Sequence, residues 1–108
     1  MRKISENDVT NQIIDGLEAS GYRVYKIFNG STPAKIAGGR IVYKKKAKKY
    51  RGVPDLIAIG KKKLIFIEVK APGGKIREEQ EEFLGLIESV ESISGTVAYG
   101  FEDLKEYI

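Results

Sequence analysis

The sequence predicts an α/β fold: one domain in which a mixed central β-sheet is flanked by helices, in the order α-β-β-β-α-β. Two segments carry apolar residues at the spacing of amphipathic helices. Several short segments are rich in β-branched and aromatic residues and are bounded by turn residues. A length of 108 residues gives room for one core, and a 42% apolar content is enough to pack it. We therefore expect residues 1–108 to form a single domain.

The first predicted element is a helix over residues 6–20. A capping box precedes it, with Ser5 as the N-cap and Asp8 in place of the usual Glu. Apolar residues then recur on one face, at Val9, Ile13, Ile14 and Leu17. Gly21 is suited to end the helix because it adopts the left-handed conformation without strain.

The middle of the chain predicts strands. Residues 22–28 (YRVYKIF) alternate as a strand does, and the Asn-Gly-Ser-Thr-Pro segment at 29–33 is expected to end it. Residues 40–43 (RIVY) predict a short strand. Residues 53–59 and 64–69 predict an antiparallel hairpin, and the second of these is apolar on both faces, as in a central strand that is covered on both sides.

The last third predicts a helix, a strand and a helical turn. Pro72-Gly73-Gly74 is expected to end the hairpin's second strand. A helix is predicted over residues 77–90, with one apolar face and glutamates on the other. A short strand over 95–99 and a terminal helical turn over 102–108 complete the order.

Missing residue types exclude several kinds of chemistry. The chain has no His and no Cys, so it lacks the usual zinc ligands, a Ser-His triad and a Cys nucleophile. The carboxylates and lysines that remain favour metal-ion chemistry. No signal-peptide pattern and no apolar run long enough to cross a bilayer are present, and we expect a cytoplasmic protein.

Positive charge is concentrated in the middle of the chain. Residues 40–63 hold ten Lys or Arg and one acid, a net charge of +9, while the remainder holds nine basic and fourteen acidic residues. Such a patch is typical of a protein that binds a polyanion, although a solvated loop would also carry it. The candidate nucleic-acid contacts in this patch are Arg40, Lys44, Lys45, Lys46, Lys48, Lys49 and Arg51. Tyr43 and Tyr50 flank it and could stack on unpaired bases or pack in the core.

Asp55, Glu68 and Lys70 form the candidate site. A turn at Lys61–Lys63 would set the start of one strand opposite the end of the next, which brings Asp55 near Glu68. Lys70 is two residues after Glu68 and shares its face of the strand. Two facing carboxylates repel each other unless a cation lies between them, and oxygen ligands suit Mg²⁺ or Mn²⁺. The alternatives are an Asp55–Lys70 ion pair without metal, or a charged pair that only solubilises a strand end.

These residues, in this order and spacing, resemble the PD-(D/E)XK nuclease superfamily, and more closely its virus-type replication-repair nuclease (VRR-NUC) domain. The motifs that carry the resemblance are Arg51-Gly52-Val53-Pro54-Asp55, Glu68-Val69-Lys70, Gln80, Glu6, the Asn29-Gly30 turn and Gly95. The resemblance covers nearly the whole chain and implies a restriction-endonuclease-like core.

The resemblance also implies roles for single residues. Asp55, Glu68 and the Val69 carbonyl would bind the metal, and Glu6 would complete the site directly or through water. Lys70 would activate the attacking water, and Gln80 would hydrogen-bond within the site. Structural alternatives are a dipole-favoured helix acid for Glu6 and a polar edge residue for Gln80.

One departure from the family pattern concerns the second helix, where a small hydroxyl residue usually stands at the start. This chain has Arg77 there, after Lys75, and both cations are further candidates for nucleic-acid contact.

The function that follows is a Mg²⁺- or Mn²⁺-dependent endodeoxyribonuclease that hydrolyses phosphodiester bonds. Small relatives imply a homodimer that acts on branched DNA such as four-way (Holliday) junctions. Two other classes stay open: a non-catalytic nucleic-acid-binding module that keeps the nuclease fold, and a metal-dependent phosphoesterase for a small substrate, which the +9 segment disfavours.

Overall fold

The computed structural model describes residues 3–27, 32–35, 39, 41–44 and 52–108, with the backbone alone for 32–35 and 41–44. The elements are α1 (Glu6–Ala19), β1 (Arg23–Lys26), β2 (Thr32–Lys35), β3 (Ile41–Lys44), β4 (Leu56–Gly60), β5 (Lys63–Val69), α2 (Glu78–Ile87), β6 (Ile93–Ala98) and a 3-10 helix (Phe101–Leu104). No helix among these residues is long and apolar enough to cross a membrane.

Four strands form the central sheet, in the order β1-β4-β5-β6. β1, β4 and β5 pair antiparallel, whereas β5 and β6 pair parallel. The predicted α/β class with a mixed sheet is confirmed, as is the central place of the second hairpin strand.

A separate antiparallel pair, β2 with β3, was only half predicted. The short strand at 40–43 corresponds to β3. The prediction that residues 29–33 only interrupt the strands is wrong for the last two of them. Thr32 and Pro33 belong to β2 and pair with Lys44 and Tyr43. Among the described residues β2 pairs with β3 alone, and proline is compatible with a strand at the edge of a sheet, which explains why its breaker signal misled.

Both ends of α1 follow from the sequence. Ser5 Oγ accepts a hydrogen bond from the Asp8 N–H at 3.1 Å, and Asp8 Oδ2 accepts one from the Ser5 N–H at 3.0 Å. At the other end Gly21 has φ +94°, and the Tyr22 N–H returns to the Leu17 carbonyl at 3.0 Å. These bonds satisfy backbone groups that a helix end leaves unpaired.

The core lies between α1 and one face of the sheet. Val9, Ile13 and Leu17 of α1 are buried, as are the residues of β5 that point to the same side, Ile65, Ile67 and Val69. The alternate residues of β5 face α2, where the Phe66 and Phe83 rings meet edge to face with centroids 5.3 Å apart. β5 is therefore covered on both faces.

The register of the central hairpin positions the site. Leu56 pairs with Ile67, and the pairing runs to Gly60 and Lys63 around Lys62, which has φ 56°. Extending this register by one residue places Asp55 opposite Glu68, as the sequence predicted.

Several predicted boundaries differ from the structure: β1 is Arg23–Lys26 and not 22–28, and β6 is Ile93–Ala98 and not 95–99. β4 begins at Leu56 and not at residue 53, and α2 ends at Ile87 and not at residue 90. The final helical turn is a 3-10 helix over Phe101–Leu104. The shorter α2 leaves room for a turn through Ser92, with φ 65°, before β6 begins at Ile93.

Candidate active site

Glu68 is the centre of the candidate site. It is the next-to-last residue of β5, faces α2 and is only 3% exposed. Its Oε2 accepts a hydrogen bond from Gln80 Nε2 at 2.7 Å and lies 3.3 Å from Lys70 Nζ. The structure therefore joins Glu68, Lys70 and Gln80 in one cluster, as the sequence predicted. The ammonium of Lys70 pairs with Glu68, and not with Asp55 as the metal-free alternative had it.

Asp55 connects three strands at the edge of this cluster. Its Oδ2 accepts a hydrogen bond from the Val69 N–H of β5 at 3.0 Å. Its backbone carbonyl accepts one from the Ile27 N–H, just after β1, at 2.7 Å. Pro54 before it is fully buried. These contacts fix the carboxylate beside the end of β5, where the backbone of Val69 is also held.

Gln80 has a role in α2 as well as in the site. Its Oε1 accepts a hydrogen bond from the Arg77 N–H at 2.8 Å, so the amide caps the helix while its Nε2 holds Glu68. Arg77 is the N-cap residue, and a guanidinium has no acceptor with which to cap α2 in return. α2 therefore begins without the side-chain acceptor that a hydroxyl residue at position 77 would supply, and Gln80 satisfies the Arg77 N–H.

Gly52 allows α2 to approach this cluster. A Cβ built on Gly52 would lie about 2.6 Å from the carbonyl carbon of Glu79 and still closer to its oxygen. Only glycine fits against the first turn of α2 at this distance. Gly52 belongs to a motif in the sequence, but its role could not be predicted, because the contact joins segments far apart in the chain.

Burial determines the charge state of Glu68. Desolvation is the main reason that the pKa of Glu68 rises from 4.5 to about 7, and the negative charge of Asp55 is the next. Lys70 opposes this rise through its charge and hydrogen bond, and Glu6 adds a smaller rise. A carboxyl poised near neutrality is typical of functional sites.

One atom of Glu68 has no partner. Oε1 is buried, and no hydrogen-bond donor contacts it among the described residues. Asp55 on the opposite strand end supplies a second carboxylate, whose Oδ2 accepts a hydrogen bond from the Val69 N–H. Hard oxygen donors of this kind, with one oxygen unpaired in a buried position, fit a divalent cation.

Glu6 lies near this pair without joining it in a compact cluster. Its charge acts on Glu68 from the exposed first turn of α1. In the described part of the chain, no three Asp or Glu side chains come close enough together to hold a metal ion. A contribution of Glu6 through water agrees with this geometry better than direct ligation does, and it stays a prediction.

Two of the predicted nucleic-acid contacts can be located. Lys75 and Arg77 are exposed on the segment between β5 and α2, and Arg77 Nε lies 4.0 Å from Glu79 Oε1. The predictions for Arg40, Lys45, Lys46, Lys48, Lys49, Arg51 and Tyr50, and for the side chains of Tyr43 and Lys44, lie outside the described residues.

Comparison with known proteins gives one match. The family model described as the VRR-NUC domain matches residues 3–101 of the 108-residue chain, which includes every residue of the candidate site. No curated protein and no solved structure matches the chain.

Proposed function

Because the chain belongs to the VRR-NUC domain family and has a nuclease-type fold, we propose that it is an endonuclease that hydrolyses phosphodiester bonds in DNA with Mg²⁺ or Mn²⁺. The observation that carries the proposal is the buried Glu68 with its unpartnered Oε1, set opposite Asp55. Burying a carboxylate without a full set of partners is unfavourable. A bound cation would supply the missing partner.

Asp55, Glu68 and the Val69 carbonyl would hold the cation. Mg²⁺ is commonly bound by one or two carboxylates together with water and substrate phosphate, so a site with two carboxylates is sufficient. When bound, the ion would neutralise the charge that develops on the phosphate and lower the pKa of water. Glu6 would reach the same site through water.

Lys70 is the residue that we assign to the phosphate and the attacking water. Its ammonium lies 3.3 Å from Glu68 Oε2, so it is already held at the edge of the site. From there it can donate hydrogen bonds to a phosphate oxygen or orient water for attack. Gln80 fixes the Glu68 carboxylate by donating to Oε2, and the Val69 N–H fixes that of Asp55.

Branched DNA, such as a four-way junction, is the proposed form of the substrate, and a homodimer is the proposed form of the enzyme. A junction with two equivalent strands is cut most simply by two copies related by a twofold axis. Mass measurement by light scattering tests the dimer, which should give twice the 12.0 kDa chain mass. A monomer that still cuts both strands of a junction would contradict it.

A cleavage assay tests the function itself. Labelled linear duplex, single-stranded and four-way-junction DNA are incubated with the protein and Mg²⁺, Mn²⁺ or EDTA. We expect cleavage that requires metal, is fastest on the junction and is lost in Lys70→Ala. Lys105→Ala is the matched control, because Lys105 is an exposed lysine that pairs with Glu102 away from the site.

The same assay separates the alternatives. Binding of DNA without cleavage under any metal would contradict the enzyme and support a non-catalytic binding module. Equal cleavage by the Lys70→Ala and wild-type proteins would remove Lys70 from the mechanism. Salt dependence of binding adds a second measure: Lys45→Ala and Lys48→Ala should flatten the slope if the basic segment contacts phosphates.

A further inference from the structure

A second feature lies beside the candidate active site: a cavity of about 390 Å³. It is lined by Ile4, Asp8, Val9, Gln12, Pro72 and Tyr99. Most of its wall is apolar, with polar groups from one side of α1. This combination of an apolar wall and a few polar groups is typical of small-ligand sites.

The chain connects this cavity directly to the site. Pro72 comes two residues after Lys70, and Val9 lies one helical turn after Glu6. Tyr99 directly follows Ala98, whose carbonyl accepts a hydrogen bond from the Lys70 N–H at 3.0 Å. The cavity therefore lies at the same end of β5 and β6 as Lys70.

Tyr99 is held in place although 44% of it is exposed. Its hydroxyl donates to the Gly74 carbonyl at 3.0 Å, and its N–H donates to Asp103 Oδ2 at 2.8 Å. These bonds anchor both ends of the residue. A fixed, accessible aromatic ring is a suitable platform for stacking with a nucleobase.

The polar side chain at the cavity wall can hydrogen-bond to the edge of a nucleobase. Gln12 Oε1 accepts from the Phe101 N–H at 3.3 Å, which directs the amide and leaves Nε2 as a donor. The negative charges of Asp8 and Glu6 disfavour a phosphate inside the cavity.

We propose that this cavity binds one unpaired nucleobase of the substrate strand, adjacent to the bond that is cleaved. The proposal rests on the proposed function and adds to it a substrate feature: a nucleotide whose base is out of the duplex stack. The base stacks on Tyr99 and meets the polar edge formed by α1. The flanking phosphates remain outside, where Lys75 and Arg77 are exposed.

Replacing single bases in the substrate tests this. Junction and single-stranded substrates are prepared with an abasic nucleotide at each position around the cleaved bond in turn. Stacking of one base on an aromatic side chain corresponds to about a 5- to 160-fold effect. We expect kcat/KM to fall by this factor at one position and to change little at the others. A flat scan with normal cleavage overturns the cavity proposal and leaves the nuclease proposal intact.

Three variants identify the cavity as the source of the effect. Tyr99→Leu should lose the position dependence, so that the abasic substrate and the normal substrate are cut equally. Tyr99→Phe should keep it, because the ring remains while the bond to Gly74 is lost. Tyr25→Leu is the matched control, since Tyr25 is 49% exposed on β1, two strands away from β5. Equal effects of the Tyr25 and Tyr99 variants would contradict the proposal.

Binding gives a readout that needs no cleavage. Oligonucleotides with 2-aminopurine at the scanned position are titrated with protein in EDTA, and the fluorescence reports whether that base leaves its stacked neighbours. A change at one position that disappears in Tyr99→Leu supports the cavity even if no DNA is cut. The same fluorescence at every position, in both proteins, overturns it.

Discussion

The two helices begin in different ways. The start of α1 is held by contacts that serve folding, whereas the start of α2 is held by a contact that also serves the candidate site. At the start of α1, Ser5 and Asp8 cap each other through two exposed, local hydrogen bonds. At the start of α2, Gln80 caps Arg77 with one atom and holds buried Glu68 with the other. A cap that also holds a site carboxylate links the position of α2 to the charge state of the site.

Substitution of Gly52 should disturb the start of α2 most. In Gly52→Ala the new Cβ would overlap the backbone of Glu79, which cannot move without shifting the helix. We expect the free energy of unfolding, measured with urea, to fall by about 3 kcal/mol. Cleavage should fall with it, because Gln80 follows Glu79.

Gly85→Ala is the control for this prediction. Gly85 lies within α2, and a Cβ there meets nothing within 4 Å. Alanine is the better helix former by about 1 kcal/mol, so this variant should be slightly more stable than the wild type. Equal stability of the two variants would show that α2 adapts to a side chain at residue 52.

The pH dependence of stability should reveal the charge state of Glu68. Its folded-state pKa of about 7 lies above the ordinary value of 4.5. The protonated form is thus favoured by folding, and this stability is fully present below pH 4.5 and is lost as the pH rises through 7. Unfolding in urea and EDTA should show a loss of about 3 kcal/mol between pH 4.5 and pH 8.

Glu68→Gln separates this effect from other titrations. The chain has no His, the residue type whose ordinary pKa lies between 5 and 8. The variant should give a nearly flat profile over this range and should be more stable than the wild type at pH 8, although it should not cleave. Mg²⁺ should reduce the wild-type slope, because a cation favours the charged carboxylate. The same slope in both proteins would assign the pH dependence to another group.

Two substitutions of Gln80 should divide its two roles. Gln80→Ala removes the cap and leaves Glu68 Oε2 with Lys70 alone, so we expect a loss of about 2 kcal/mol. Gln80→Glu keeps an acceptor for the Arg77 N–H but places a second carboxylate against Glu68, which should raise the pKa of Glu68 further. Urea unfolding at pH 5 and pH 8 distinguishes them.

The expected outcomes differ with pH. Gln80→Glu should resemble the wild type in stability at pH 5, where the two carboxyls can share a proton, and should be clearly weaker at pH 8. Gln80→Ala should be weaker at both. If the two variants had the same free energy of unfolding at both pH values, the hydrogen bond from Gln80 to Glu68 would contribute nothing to stability beyond the cap.

The features that depend on residues adjacent in sequence could be predicted from local patterns. The capping box of Ser5 and Asp8, the hairpin and its register were all readable, and the register brought Asp55 to Glu68. Gln80 was identified from a family pattern and its place on the helix. Period and turn chemistry are properties of adjacent residues, which is why they can be read from one sequence.

The unpredicted features depend on distant parts of the chain. The fit of Gly52 on Glu79 is a tertiary contact that no local pattern encodes. The pairing of Lys70 with Glu68, while Asp55 Oδ2 accepts from the Val69 N–H, depends on how the two strand ends pack against each other. β2 was missed because Pro33 gives a breaker signal, although a two-stranded pair tolerates proline at a free edge.

Substitution in the cap of α1 should have the smallest effect, and it tests most directly whether this cap serves folding alone. Ser5→Ala removes the acceptor for the Asp8 N–H and should lower the free energy of unfolding by about 1 kcal/mol. Ser5→Asp keeps an acceptor and should restore stability. Cleavage well below the melting temperature should be normal in both. If Ser5→Ala lost cleavage and Ser5→Asp recovered it, the cap would also position the neighbouring Glu6, and α1 as well as α2 would be coupled to the site.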